Sequence, residues 1–234
     1  MQIRSFTKPQ LPKYFICLII LIAYGCSNQE TIKQSINQKS DIILPISFAE
    51  FDQWTEQNFV GQTEYQTSKS GESGSEVLKI KSDESASLFY KKIFIDLNQT
   101  PYINWQWLIT NIYPENTQEK LKQGDDFPAR IYIAIKPELG QFKPRALTYV
   151  WASNEKKLNT WKNPFNNTVG VFVVESGSES LGKWRSEKRN LKDDLSIFFG
   201  QSIESIEGIG VMSDSDNTQG QSEALFRNLF FSNH

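Results

Sequence analysis

Short runs in which apolar and polar residues alternate, broken at close intervals by turn formers, constrain this chain more than any other feature. Ile103-Asn104-Trp105-Gln106-Trp107-Leu108-Ile109 is the clearest. A strand turns successive side chains to opposite faces, so this run puts Trp105, Trp107 and Ile109 on one face. Val77–Ile80, Leu88–Leu97, Ala129–Ile135, Ala146–Ala152, Val169–Val174, Ile209–Met212 and Ala224–Phe231 are further strand candidates. In the second of them Ile93 and Ile95 alternate against Phe94. About eight to ten strands at such spacing predict a sandwich or jelly roll. Leu191, Leu195 and Phe198 recur at helical spacing before Gly200, which predicts one short helix with a glycine C-cap. The expected fold is all-β, an antiparallel β-sandwich or jelly roll with one short helix. Six Trp and sixteen Phe fit that expectation, because aromatic rings pack well on a pleated surface.

The N-terminus predicts export. Arg4, Lys8 and Lys13 precede the apolar stretch Tyr14–Ala23, with no acid before residue 26. That stretch is shorter than the ~20 residues a membrane span needs, and a basic start followed by a short apolar segment is a secretory signal. Ala23-Tyr24-Gly25-Cys26 follows and resembles a bacterial lipobox. Its implication is a signal peptide over residues 1–25, a diacylglyceryl thioether on Cys26 and a lipid anchor in the membrane. Tyr24 is an unusual residue for that motif; Gly25 fits it. Ser27, rather than Asp, implies an outer-membrane lipoprotein of the cell envelope. Residues 26–42 are polar without a periodic apolar face and predict a flexible tether. The folded domain is then expected over residues 43–234. The remaining cysteine, Cys17, lies within the signal, so no internal disulfide is expected.

Several chemistries are excluded by residue type. The single histidine is His234, the last residue, a poor place for a base or a zinc ligand. No phosphate-cradling glycine loop is present, so a nucleotide cofactor has no seat. Net charge is −2, and since Arg4, Lys8 and Lys13 contribute +3, the rest of the chain carries −5. With basic residues scattered among acids, nucleic acid is not an expected partner.

Candidate site residues are polar loop residues and exposed aromatics. Arg130 opens an otherwise apolar strand and needs an acidic partner among Asp125, Asp126, Asp214 and Asp216. That constellation is structural on one reading and a polyol or anion site on the other. Asp214-Ser215-Asp216-Asn217-Thr218 has the alternating oxygen side chains that suit calcium. Gln219 and Leu225 break the EF-hand pattern. The loop is then either a different calcium site through Asp214, Asp216 and Asn217, or a tight turn whose side chains bind their own backbone. Among the tryptophans, Trp161 and Trp184 sit in polar loops and are the candidates for contact with a sugar face.

Gly124-Asp125-Asp126-Phe127-Pro128-Ala129-Arg130-Ile131-Tyr132, Tyr149-Val150-Trp151-Ala152, Trp184, Arg189-Asn190, Asp194, Phe199-Gly200 and Ile209–Thr218 occur in this order. Together they resemble domain-of-unknown-function family 3047, over roughly residues 46–231. The chain departs from that family with Ser213 and Ser215 where threonine is usual, and with Arg227-Asn228 where the last strand tends to carry an acid. Phe51-Asp52, Trp54 and Gly61-Gln62-Thr63-Glu64-Tyr65 resemble galactose-binding-like jelly rolls. That resemblance implies carbohydrate binding and a structural calcium. The leading functional expectation is a cell-envelope module that binds a glycan or envelope polymer. A carboxylate-based glycoside hydrolase is the alternative, and a structural protein binding an envelope protein is a third.

Overall fold

The computed structural model describes residues 41–70, 74–136 and 144–234. Cys26, the signal segment and nearly all of the tether lie outside the described residues. The compact unit Ile42–His234 contains thirteen strands among the described residues: β1 (Ile43–Pro45), β2 (Thr55–Val60), β3 (Glu64–Ser70), β4 (Ser75–Asp83), β5 (Ala86–Asp96), β6 (Tyr102–Ile109), β7 (Ala129–Ile135), β8 (Arg145–Ala152), β9 (Thr160–Lys162), β10 (Val169–Ser176), β11 (Arg185–Asn190), β12 (Ser205–Met212) and β13 (Gln221–Ser232). One helix, α1 (Leu191–Phe199), joins them.

The strands form two sheets. One has the order β11-β6-β13-β4-β3 with β1 on β13; the other runs β2-β5-β12-β7-β8-β10-β9. This is the all-β jelly-roll sandwich expected from the alternation. One pairing departs from antiparallel: β10 runs parallel to β8, with β9 between them in the chain. The strands that sequence reading passed over are β1, β2, β3, β9 and β11. They are short or polar, and β2 is exposed along its whole length. An edge strand buries neither face fully, so it carries no period-two signal.

The sheets meet through aromatic side chains. Trp105 and Trp107 on β6 are fully buried, as the alternation predicts. Trp105 stacks on Tyr149 of β8 at 5.4 Å, and Trp107 packs against Trp151 at 5.8 Å. Each such ring removed from water contributes roughly 1.5–3 kcal/mol. Two of the polar tips are served at the sandwich margin: Trp107 Nε1 donates to Glu187 and Trp151 Nε1 to the Gly177 carbonyl, while the buried Trp105 Nε1 makes no hydrogen bond.

Helix α1 starts where the Asn190 side chain accepts the Asp193 N–H, and Gly200 ends it at φ 68°. A left-handed residue there favours glycine. Leu191 and Leu195 face the core, and Phe198 covers Gly170 of β10 so closely that a Cβ there would lie 2.7 Å from its ring. The helix is tied down by Asp194, which accepts the Tyr149 hydroxyl and two bonds from Arg189.

Strand β8 is buried on both faces. Leu147, Tyr149 and Trp151 face the main core, whereas Val150 and Ala152 face outward. Their outer cover is a second apolar cluster with Phe127, Val171, Val173 and the half-buried Trp161. Half of the outer face of the seven-stranded sheet is thereby closed by Phe127 and by Trp161 of β9, and the half over β5, β12 and β7 stays open.

Candidate functional site

The open half forms a cleft of about 620 Å³. Its floor is set by strand register. Gly210 of β12 stands beside Tyr90 of β5 and Tyr132 of β7, and Gly208 stands beside Ala134. A glycine between two tyrosines adds no side chain to the floor, with neighbouring strands ~4.8 Å apart. Leu88 of β5 packs over it instead: a Cβ on Gly210 would lie 2.8 Å from Leu88 Cδ1 and 3.2 Å from the Phe89 carbonyl oxygen. Phe59 and Val60 on edge strand β2 and Phe165 in the loop after β9 also line the cleft, exposed by 56 %, 46 % and 57 %. Burial pushes the Tyr132 hydroxyl up to about 12, so it stays protonated and able to donate.

One end of the cleft is polar. Three segments meet there: residues 124–128 before β7, Asn163 after β9, and residues 213–218 after β12. Gly124 is required by close approach, since a Cβ would lie 2.6 Å from the Gln118 carbonyl oxygen. Arg130 is buried and donates from Nη2 to Asp214 Oδ2 at 2.8 Å and to the Asp125 carbonyl at 3.1 Å. Asp214 takes the Phe127 N–H on its other oxygen at 3.1 Å. Donors on both oxygens suit the ionised carboxylate. Asn163 donates to Asp125 Oδ2, while Asp125 Oδ1 accepts no hydrogen bond and has Arg130 Nη2 at 3.7 Å. Asp126 accepts from the backbone and side chain of both Asn217 and Thr218.

Charge at this end is unbalanced. Asp125, Asp126, Asp214 and Asp216 surround one guanidinium. Burial raises the carboxyls of Asp125, Asp214 and Asp216 above their ordinary range, with Arg130 opposing in each case. Burial alone would lower Arg130, but Asp214 and Asp125 raise it, so it stays charged.

The structure thus brings together Asp125, Asp126, Arg130, Asp214, Asp216 and Asn217, six of the residues singled out from sequence. One oxygen each of Asp126, Asp214 and Asp216 lies within 4.8 Å of the others, a spacing that matches two calcium–oxygen bonds of about 2.4 Å. Their hydrogen bonds are nonetheless those of a capped turn and a buried ion pair. Both Asp126 oxygens are bonded, Arg130 sits on Asp214, and the Asn217 amide is spent on Asp126 and Asp216. A calcium in the same place would have to displace them.

Trp161 is half-buried on Phe127, with Lys120 Nζ 5.4 Å from its ring. It props the loop beside the cleft without lining it. Trp184 precedes β11 on the other sheet, where the Arg227 guanidinium lies 4.0 Å over its ring. A larger groove, of about 740 Å³, opens on that sheet beside Asn228, but it holds neither Trp184 nor the acid cluster. Sequence reading missed Tyr90, Tyr132, Phe165, Asn163 and Gly210. The available signal was Gly208-Ile209-Gly210, two glycines on one face of a strand that otherwise buries Ile209 and Val211.

Family DUF3047, a protein of unknown function, matches residues 52–230. No curated protein matches the chain. Among solved structures, the xyloglucanase domain of NopAA, a type three effector from Sinorhizobium fredii in complex with cellobiose, is 12 % identical. It has a TM-score of 0.42 over 80 % of this chain and 96 % of that one. A lectin from Bauhinia forficata in complex with GalNAc is 14 % identical with a TM-score of 0.39, over 83 % and 98 %. The enzymatically active domain of tailspike protein 4 from bacteriophage CBA120 is 12 % identical with a TM-score of 0.38; the match covers 80 % of this chain and spans only 21 % of that one. Likeness at these scores carries no information on chemistry.

Proposed function

The chain belongs to the DUF3047 family, whose description names no activity, and from that premise we propose that it is a lipid-anchored envelope protein whose cleft binds a glycan. The row Tyr90–Gly210–Tyr132 carries this reading. A sugar ring has apolar C–H faces and a polar rim, and it suits a cleft lined by aromatic side chains with polar groups at one end. Phe59 and Phe165 on the cleft lining offer further apolar contact, and Asp125, Asn163 and Asp216 offer polar contact. The anchor rests on the basic, apolar and Ala23-Tyr24-Gly25-Cys26 sequence.

Binding of the full-length chain to a glycan array tests the reading. Tyr132→Ala and Tyr90→Ala should each weaken the best ligand by up to about tenfold, the scale of one lost stacking contact. Unchanged binding by both variants would remove the cleft from consideration. Mass spectrometry of the membrane-extracted protein should show a diacylated Cys26; an unmodified thiol there sinks the anchor.

A hydrolytic reading draws on one specific observation. Asp125 and Asp216 both line the cleft with carboxyls raised by burial, the condition a general acid needs. Release of reducing ends from the bound glycan, abolished in Asp216→Asn, would establish it. Binding without release leaves the module as a binder.

A further inference from the structure

The cations that line the cleft are buried. Arg130 is 3 % exposed, is paired with Asp214 through Nη2, has the Phe127 ring 4.6 Å from its Cζ, and keeps a buried Nε that makes no hydrogen bond. Arg145, the other cation of the lining, is 6 % exposed and lies 4.6 Å over the Phe199 ring of α1. Among the described residues that line the cleft there is no lysine, and Lys122, outside the lining, is held 5.2 Å over the Phe165 ring. Among these described lining residues an incoming carboxylate, sulfate or phosphate therefore meets no exposed guanidinium fork or ammonium, the arrangement that recognises such groups.

The polar end instead presents acceptors. Four carboxyl groups stand around one guanidinium, the buried Asp125 Oδ1 accepts no hydrogen bond, and the half-buried Asp216 accepts from the Asn217 amide. Acceptors in excess call for a ligand that brings donors without bringing negative charge. Hydroxyl groups do so, and the apolar lining (Tyr90, Tyr132, Phe59, Phe165) suits the ring that bears them.

We infer, resting on the glycan reading above, that the ligand is a neutral polysaccharide of unmodified hexose or pentose units, and that the acidic end of the cleft excludes uronate, sulfated and phosphodiester polymers. Like charge across an interface suppresses wrong partners more than complementary charge strengthens right ones.

The test uses the full-length chain in detergent on a matched array. Its arms are neutral oligomers of glucose, galactose, mannose and xylose; glucuronate and galacturonate oligomers; sulfated galactans; glycerol-phosphate polymer; and glucosamine oligomers. Binding confined to neutral oligomers supports the inference. A uronate, sulfated or phosphate polymer bound as tightly as its neutral counterpart overturns it and leaves the glycan reading standing. Preference for glucosamine oligomers overturns the neutral assignment in favour of a cationic sugar. No binding by any arm overturns the glycan reading and this inference with it. Asp216→Asn, with its fold checked by circular dichroism, should narrow the neutral-to-uronate ratio by about tenfold, the effect of removing one nearby like charge. A ratio unchanged in both Asp216→Asn and Asp125→Asn shows that these acids do not gate the cleft.

Discussion

Arg130→Met would convert the polar end of the cleft from a cluster holding one cation into a cage of carboxyls alone. Methionine keeps an apolar stem of similar length but leaves Asp214 without the donor that now sits 2.8 Å away. Removing one partner of a buried ion pair costs about 3–5 kcal/mol, because the other charge stays desolvated. For a domain of this size that corresponds to a fall in Tm of roughly 6–20 °C. The double variant Arg130→Met/Asp214→Leu removes both charges and should recover most of the loss. The single variant should also become pH-dependent with a defined sign. Burial, Asp126 and Asp125 all raise the Asp214 carboxyl, and only Arg130 and the Phe127 N–H oppose them. An acid whose folded value is raised contributes stability that is present below its ordinary range and lost as pH rises through the folded value. The deficit of Arg130→Met should therefore shrink on going from about pH 7.5 to about pH 5, just above the ordinary carboxylate range. Urea unfolding followed by far-ultraviolet circular dichroism measures all of this. Single variants that each cost under about 1 kcal/mol, or that add in the double variant, would refute the claim of a buried, coupled pair.

Three other outcomes are expected. Gly210→Ala should cost about 1–3 kcal/mol by overpacking against Leu88 and Phe89; Gly208→Ala, whose Cβ would come no nearer than 3.4 Å to any neighbour, should cost less, and equal losses in urea melts would contradict the packing argument. Asp194→Ala should cost about 3–5 kcal/mol, because it strands the buried Tyr149 hydroxyl and releases Arg189 from a two-point contact; thermal melts with a loss under about 1 kcal/mol would mean that α1 is held by its leucines alone. Millimolar calcium should leave Tm unchanged, given the hydrogen bonds already made by Asp126, Asp214 and Asn217; a rise that Asp216→Asn abolishes would assign the loop to an ion.

The sandwich was legible in the sequence because β6 and β7 bury one face and turn the other to a polar or half-open surface, which writes a period of two into residues 102–109 and 129–135. The helix was legible from Leu191, Leu195 and Gly200. The Arg130–Asp214 pair was legible as a need, since a buried guanidinium requires an acid, but not as a choice among four acids. Nothing local distinguishes Asp126, which caps the 216–218 turn from ninety residues away, from Asp214, which neutralises the arginine. The aromatic floor of the cleft was hidden for a different reason. Tyr90, Gly210 and Tyr132 lie on three strands brought together by register, and each alone reads as an ordinary strand residue. Trp184 drew attention through its polar neighbours Lys183 and Arg185, and the structure places it just before edge strand β11 with Arg227 over its ring.

The strand order has a consequence for the life of the chain before it is folded. β12 lies between β5 and β7, and β13 lies between β4 and β6 while also holding β1. The middle of both sheets is therefore supplied by residues 205–232. A growing chain can form local hairpins such as β3–β4 early, but neither sheet can close until those residues leave the ribosome. Long-range pairing of this kind is slow, because loop closure must precede the contacts that reward it. A chain exported as proposed above would have to stay unlocked until it arrived. Here the strands that turn the lock, β12 and β13, follow every other strand among the described residues.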